Sequence, residues 1–220
     1  FETSEPLVAR AAWNALAVVE EQPQQFSGKS VWVRGTAHVQ RGDPVLLVRP
    51  ASDLKQATFV RVVDEADSTA RAGWTRLTFT ADAPRSVQSV LVFRDRSRLF
   101  GWNAPEPNLL SIQHQDAAAE LLDGVPDGPF SWKAYSAHFR ALELDGEHPD
   151  VAVGSWLVVE QNRAHRARWA TAVTVTGMSK FAIAGPVTVV QTRPPTASAY
   201  ARGMSLDRRA AVVHCAPVAH

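Results

Sequence analysis

The sequence predicts a mainly β chain: two similar small β-barrel or sandwich-like units with an irregular, partly helical insertion between them. Three observations carry this expectation. Short runs of β-branched and aromatic residues recur from position 31 onward, separated by turn residues. A similar order of runs returns after position 139. Between the two lies LFGWNAPEPNLL (99–110), whose prolines, glycine and asparagine interrupt any regular pattern.

Taken in order, residues 1–30 read as an N-terminal arm with a short helix. LVARAAWNALAVV (7–19) is alanine-rich and turns Trp13 and Leu16 to one face. The first β unit spans 31–96. VWVRGT (31–36) is a strand, RGD (41–43) a turn, and PVLLV (44–48) a buried strand whose proline occupies the first position, where a missing N–H is tolerated. ATFVRVVDEA (57–66) alternates, with Phe59, Arg61 and Val63 on one face and Val60 and Val62 on the other. TRLTFTAD (75–82) and SVLVF (89–93) follow, and RDRSR (94–98) reads as a charged loop.

Residues 97–138 form the connector and helical insertion. In DAAAELLDGVP (116–126), Asp116 caps a helix that Gly124 and Pro126 stop, while GPFSWKAYS (128–136) is loop-like. The second β unit spans 139–192. FRALELDG (139–146), VGSWLVVE (153–160), RARWATAVTVTG (166–177) and IAGPVTVVQ (183–191) match the four runs of the first unit in order. From Val31 to Val45 is 14 positions and from Ala141 to Trp156 is 15, so the spacing also repeats. Residues 193–220 read as an extended linker and C-terminal segment, stiffened by Pro194 and Pro195 and ending in AAVVHCAPVAH without an evident element.

Composition narrows function. Lys and Arg total 23 against 22 Asp and Glu, a balance that argues against a general nucleic-acid binder. No apolar run approaches the roughly 20 residues of a membrane helix, so no membrane partner is expected. The lone Cys215 excludes an internal disulfide. The chain begins at Phe1, which fits an excerpt of a longer polypeptide; a processed mature chain is the alternative.

Candidate chemistry is sparse. The seven histidines show neither C-x-x-C nor H-E-x-x-H spacing, and His38, His138, His148 and His165 read as solvated side chains. His214 and Cys215 point to opposite faces if their segment is a strand, which argues against a Cys–His nucleophile pair. There is no G-x-S-x-G elbow and no glycine-rich phosphate loop. Asp43, Asp64, Glu65, Asp67 and Asp82 sit at turns. No catalytic residue, cofactor or metal is expected. Arg163, Arg166 and Arg168 lie in NRAHRAR (162–168), read as a solvated hairpin tip or a contact to an acidic partner. Trp102 and Trp132 are either interface anchors or pins that hold the insertion on the β units.

LFGWNAPEPNLL resembles the "FG-x-NAP" segment of the baseplate-J-like wedge proteins of contractile phage tails and related injection systems. FETSEPLVARAAWNAL resembles the opening of that region, with Arg10 before Trp13 and Asn14. VWVRGTAHVQRGDPVLLV resembles its "GD-x-L-L" strand pair, LDGEHPDVAVGSWLVVE its "LDG … GSW" segment, FAIAGPVTVV its "SG-x-VT" strand, and YARGMSLDRRAAVV its exit passage. The series covers nearly the whole chain in order; the departure is AAVVHCAPVAH, where a Ser-Glu pair is expected.

The resemblance implies an interior portion of a baseplate wedge subunit, without enzymatic activity. Its partners would be other wedge subunits, spike or hub proteins and sheath-proximal proteins in a symmetric multi-subunit ring. Its location would be the cytoplasm, assembled into a phage-tail-like particle or released with it. The 99–110 stretch is then a rigid connector: Pro105 and Pro107 fix φ, Gly101 and Asn103 supply the turns, and Phe100 and Trp102 anchor it. A stand-alone carbohydrate-binding module using exposed tryptophans is the alternative function, and a hydrolase with convergent carboxylates a third.

Overall fold

Alternating β-branched residues with buried and wet faces settle the architecture: thirteen strands pair into one curled sheet and two more form a small separate pair. The computed structural model describes residues 26–34, 39–49, 57–64, 74–83, 87–110, 122–123, 131–132, 135–194 and 205–219. Its strands are β1 (Phe26–Ser27), β2 (Ser30–Arg34), β3 (Pro44–Val48), β4 (Ala57–Asp64), β5 (Trp74–Phe79), β6 (Ser89–Arg98), β7 (Leu122–Asp123) and β8 (Ser131–Trp132). Then follow β9 (Ala137–His138), β10 (Ala141–Asp145), β11 (Trp156–Gln161), β12 (Ala164–Lys180), β13 (Ile183–Arg193), β14 (Ser205–Leu206) and β15 (Val212–Ala219). Among the described residues the helical content is a single 3₁₀ turn, Pro107–Leu109.

The order in the 13-stranded sheet is β1-β2-β5-β4-β3-β6-β15-β11-β12-β13-β10-β9-β14. All its strand–strand pairings are antiparallel. Within it, β2-β5-β4-β3-β6 and β10-β13-β12-β11-β15 run through their strands in the same order: first, fourth, third, second, fifth. Registers agree as well. Val33 pairs with Thr75 and Leu144 with Thr188. Leu46 pairs with Leu91 and Val158 with His214. The two fifth strands, β6 and β15, lie side by side, with Leu91 opposite Ala219 and Arg96 opposite His214.

The sheet also curls back on itself. Phe100 N–H donates to the Glu143 carbonyl at 2.7 Å, and a bridge joins Leu99 to Leu144, so the far end of β6 returns beside β10. Three apolar clusters result. Val31, Val33, Val45, Leu47, Leu77, Phe79, Val90 and Val92 fill the first strand set. Leu99, Leu142, Leu144, Leu157, Val159, Val190, Val213 and Cys215 fill the second. Leu46, Leu91, Phe93 and Val158, flanked by Phe59, Trp156 and Ala167, pack at the junction.

Several expectations are corrected. RDRSR (94–98) is strand, the second half of β6, pairing with β15. AAVVHCAPVAH carries β15, the fifth strand of the second set, which pairs with both β6 and β11. Its proline is tolerated because β11 pairs only with residues 212–214, which leaves one side of the strand open at Pro217. Leu122 and Asp123 of the expected 116–126 helix form β7. The rest of that helix, and the helix expected at 7–19, lie outside the described residues. No helix among the described residues is long and apolar enough to cross a membrane.

Candidate functional site

The connector begins where β6 ends. Trp102 N–H donates to the Leu99 carbonyl at 3.0 Å, making a tight turn with Gly101 at φ +90. An L side chain rarely adopts that angle. Space forbids one too: a Cβ at Gly101 would lie 2.7 Å from the Phe181 ring. Phe100 is buried beneath the turn, Ala104 and Pro107 are buried beyond it, and Asn103 is exposed.

Three aromatic side chains from distant segments hold this path. Trp132 is buried, and its Nε1–H donates to the Pro105 carbonyl at 2.9 Å. The Tyr135 hydroxyl donates to the Gly101 carbonyl at 2.7 Å. Phe181, from the β12–β13 hairpin tip, meets Tyr135 and Trp132 edge-on at centroid separations of 5.1 and 6.1 Å. Trp102 remains 38% exposed, yet its Nε1–H donates to Asp145 at 2.8 Å and Arg98 lies over its ring.

Two adjacent arginines complete the clamp. Arg208 is buried and donates to the Phe100 carbonyl, the Tyr135 carbonyl and the Glu143 carboxylate, each at 2.7 Å. Its guanidinium stacks over Phe181. Arg209 donates to the Ala104 carbonyl at 3.0 Å and to the Tyr135 hydroxyl at 3.1 Å, and pairs with Glu106. The planar fork suits this work, because its donors reach several acceptors in fixed directions. Burial pushes the Glu143 carboxyl up, but hydrogen bonds and charges from Lys180 and Arg208 outweigh it and hold the group below the usual carboxylate range. Burial, with Asp207, raises the Tyr135 hydroxyl.

The structure thus unites Phe100, Gly101, Trp102, Pro105, Pro107 and Trp132 in one assembly. The arginines of 162–168 stand elsewhere. Arg163 occupies the β11–β12 hairpin turn at φ 64, and Arg166 is exposed on β12. Arg168 is a correction: it is buried in the second strand set, not presented at a surface. Its Nε–H donates to Thr192 Oγ1 at 3.0 Å and its Nη2–H to the Phe139 carbonyl at 3.2 Å. Sequence reasoning missed Tyr135, Glu143, Phe181, Arg208 and Arg209. Only the adjacent arginine pair in SLDRRAAVV offered a signal, and it sat in a stretch read as linker.

A second polar group lies at the junction of the strand sets. Glu160 accepts from Arg61 at 2.5 Å and from His214 at 2.8 Å, with His165 at 3.5 Å. His165 stacks on Phe59, and His214 packs between Phe59 and Phe93. Burial raises the Glu160 carboxyl, but His214 and Arg61 bring it below its ordinary value. Burial lowers His214 and prevails over the Glu160 contact that raises it. These groups satisfy one another across the junction.

His148 is also a correction, being a bonded side chain rather than a solvated one. Its Nδ1 lies 3.0 Å from Asp95 Oδ2 and its Nε2 lies 3.1 Å from the Asp145 carbonyl. The buried Cys215 thiol lies 3.7 Å from the same Asp95 oxygen. Burial, then Asp95, push that thiol up to about 12. A hollow of about 190 Å³ beside Phe139, Val159 and Leu206 is smaller than the roughly 300–1,000 Å³ of ordinary ligand pockets.

Comparison of the chain with protein-family models, curated proteins and solved structures finds no match.

Proposed function

We propose that the chain is a structural module of a baseplate wedge subunit in a contractile, phage-tail-like particle, acting through protein–protein interfaces. Its neighbours would be other wedge subunits, the spike or hub, and sheath-proximal proteins around a symmetric ring. The observation that carries the reading is the clamped connector. The segment resembling the wedge family's "FG-x-NAP" passage is tied down by Arg208, Arg209, Tyr135 and Trp132 through its own carbonyls. A loop that must open for substrate is poorly served by such ties; a joint that transmits load is well served. Proline stiffening at 105 and 107 acts in the same direction by lowering the entropy lost on ordering.

On this reading the two strand sets are copies of one β unit, joined fifth strand to fifth strand about a local pseudo-twofold axis. The shared strand order and the matching pairs Val33–Thr75 and Leu144–Thr188 support it, since both threonines are buried at corresponding positions. The proposal is tested by purifying the full-length protein from its native source and imaging the high-mass fraction. Recovery at the plate end of sheathed particles supports the wedge reading. Recovery only as a free monomer overturns it, and saturable binding on a glycan array would then favour the carbohydrate-binding alternative, with Trp102 the first residue to replace.

A further inference from the structure

We propose that Asp95, His148 and Cys215 form a zinc site with three protein ligands and an open fourth position. This inference is independent of the assembly reading. The donor atoms, one carboxylate oxygen, one imidazole nitrogen and one sulfur, all lie within 4.8 Å of one another. A tetrahedral zinc with ordinary bond lengths separates such donors by about 3.3–3.6 Å. Oδ2 to Nδ1 is 3.0 Å and Oδ2 to Sγ is 3.7 Å, within a few tenths of an ångström of that geometry.

The surrounding bonds orient each ligand. The Asp145 carbonyl 3.1 Å from Nε2 can only accept, so Nε2 carries a proton, and in a neutral ring Nδ1 would turn its lone pair toward Asp95 Oδ2. Two lone pairs cannot face one another at 3.0 Å unless a proton or a cation stands between them. Metal-bound histidines commonly donate their other N–H to a backbone carbonyl in this way. Asp95 is aimed likewise: its Oδ1 accepts from the Arg96 N–H at 2.7 Å, which leaves Oδ2 for the cluster. The loop carrying His148 is fixed, since His148 N–H donates to Thr188 Oγ1 at 2.9 Å and that hydroxyl donates to the Gly146 carbonyl at 3.0 Å.

The donor set selects the cation. Sulfur and imidazole disfavour calcium and magnesium, which take oxygen ligands, and suit zinc. Cys215 lies at the inner wall while the Asp95 side chain is half exposed, so an ion has an approach from solvent on the Asp95 side.

Cobalt(II) is the probe, because a cobalt–thiolate bond gives a near-ultraviolet charge-transfer band that hydrogen-bonded thiols lack. The reduced 220-residue chain should bind one equivalent of cobalt with that band, and one equivalent of zinc should abolish it. Cys215→Ser should lose the band, and His148→Gln should weaken zinc binding by at least about 10-fold, the lower end of what even supporting residues contribute. Absence of the band in the wild-type chain, which needs no variant to fold, would overturn the site and leave a hydrogen-bonded latch in its place. So would a band that survives in Cys215→Ser.

Discussion

Arg208 is where most of the connector's order converges at the scale of single residues. Its side chain is 5% exposed and satisfies two backbone carbonyls and the Glu143 carboxylate at once. Removing a buried cation of this kind costs more than the pair contributes, because the acceptors are left without donors. Arg208→Met should therefore lower stability by about 3–5 kcal/mol, read from urea midpoints. Glu143 makes the interaction visible in pH. Its carboxyl is held below its unfolded value, so the unfolded state binds more protons at low pH and stability falls with acidity. The contribution is whole above the unfolded carboxylate value, about 4.3, and disappears as pH falls through the lower folded one. Glu143→Gln should flatten that acid limb. Parallel limbs in the wild type and the variant would show that Glu143 is not held by Arg208 as described.

The β12–β13 hairpin is the element whose shape is least ordinary. Pairing runs on from Ala172 opposite Gln191 to Lys180 opposite Ile183, well past the Asp145–Val187 pair where β10 stops. The arm ends in Phe181 and Ala182 at φ 57 and 58, the mirror-image turn that two-residue hairpins favour. Neither residue is suited to it, since left-handed backbone costs an L residue about 1–2 kcal/mol. Phe181 is compensated by its burial against Gly101, Trp132 and Tyr135; Ala182 is exposed and has no such return. Ala182→Gly should stabilise the protein by about 1 kcal/mol, raising the thermal midpoint and slowing amide exchange along 172–186. No gain, or faster exchange, would mean the turn angle is not strained there. The strands themselves were legible from local pattern: Pro44–Val48 is bounded as PVLLV suggests, and each of the four matched runs after 139 contains a strand. RDRSR was not legible, because Arg94, Asp95 and Arg96 are all exposed and the two-residue alternation that marks a half-buried strand lapses there. Strand β15 was hidden for a different reason: its partner on β6 is more than a hundred positions away, and no local pattern encodes such a pairing. The turn at Gly101 could be read from its glycine, while the side chains that hold the segment could not, since Tyr135, Glu143, Phe181 and Arg208 meet only through the fold.

For the whole molecule, the question is whether the two strand sets unfold separately. Each has its own apolar cluster, which favours independence. Against that, β6 belongs to both: residues 89–92 pair with β3 while residues 91–98 pair with β15, and its far end returns to β10. The junction is also a core in its own right. Leu46 and Val158 are fully buried there and occupy corresponding positions on β3 and β11, with Phe59 and Ala167 opposite them on β4 and β12. Arg61 on β4 reaches across to Glu160 on β11, so a polar tie lies beside the apolar one. A shared strand, a shared core and a shared ion pair couple the sets more strongly than the marginal stability of either would resist. The chain should therefore unfold in one cooperative transition, with near- and far-ultraviolet circular dichroism coincident. Leu46→Ala should move that single midpoint by the equivalent of about 2–5 kcal/mol with an unchanged dependence on denaturant, because the cavity lies where both sets meet. Two resolved transitions, only one of them shifted by Leu46→Ala, would show instead that the junction is a contact between independent units and that β6 frays at its centre.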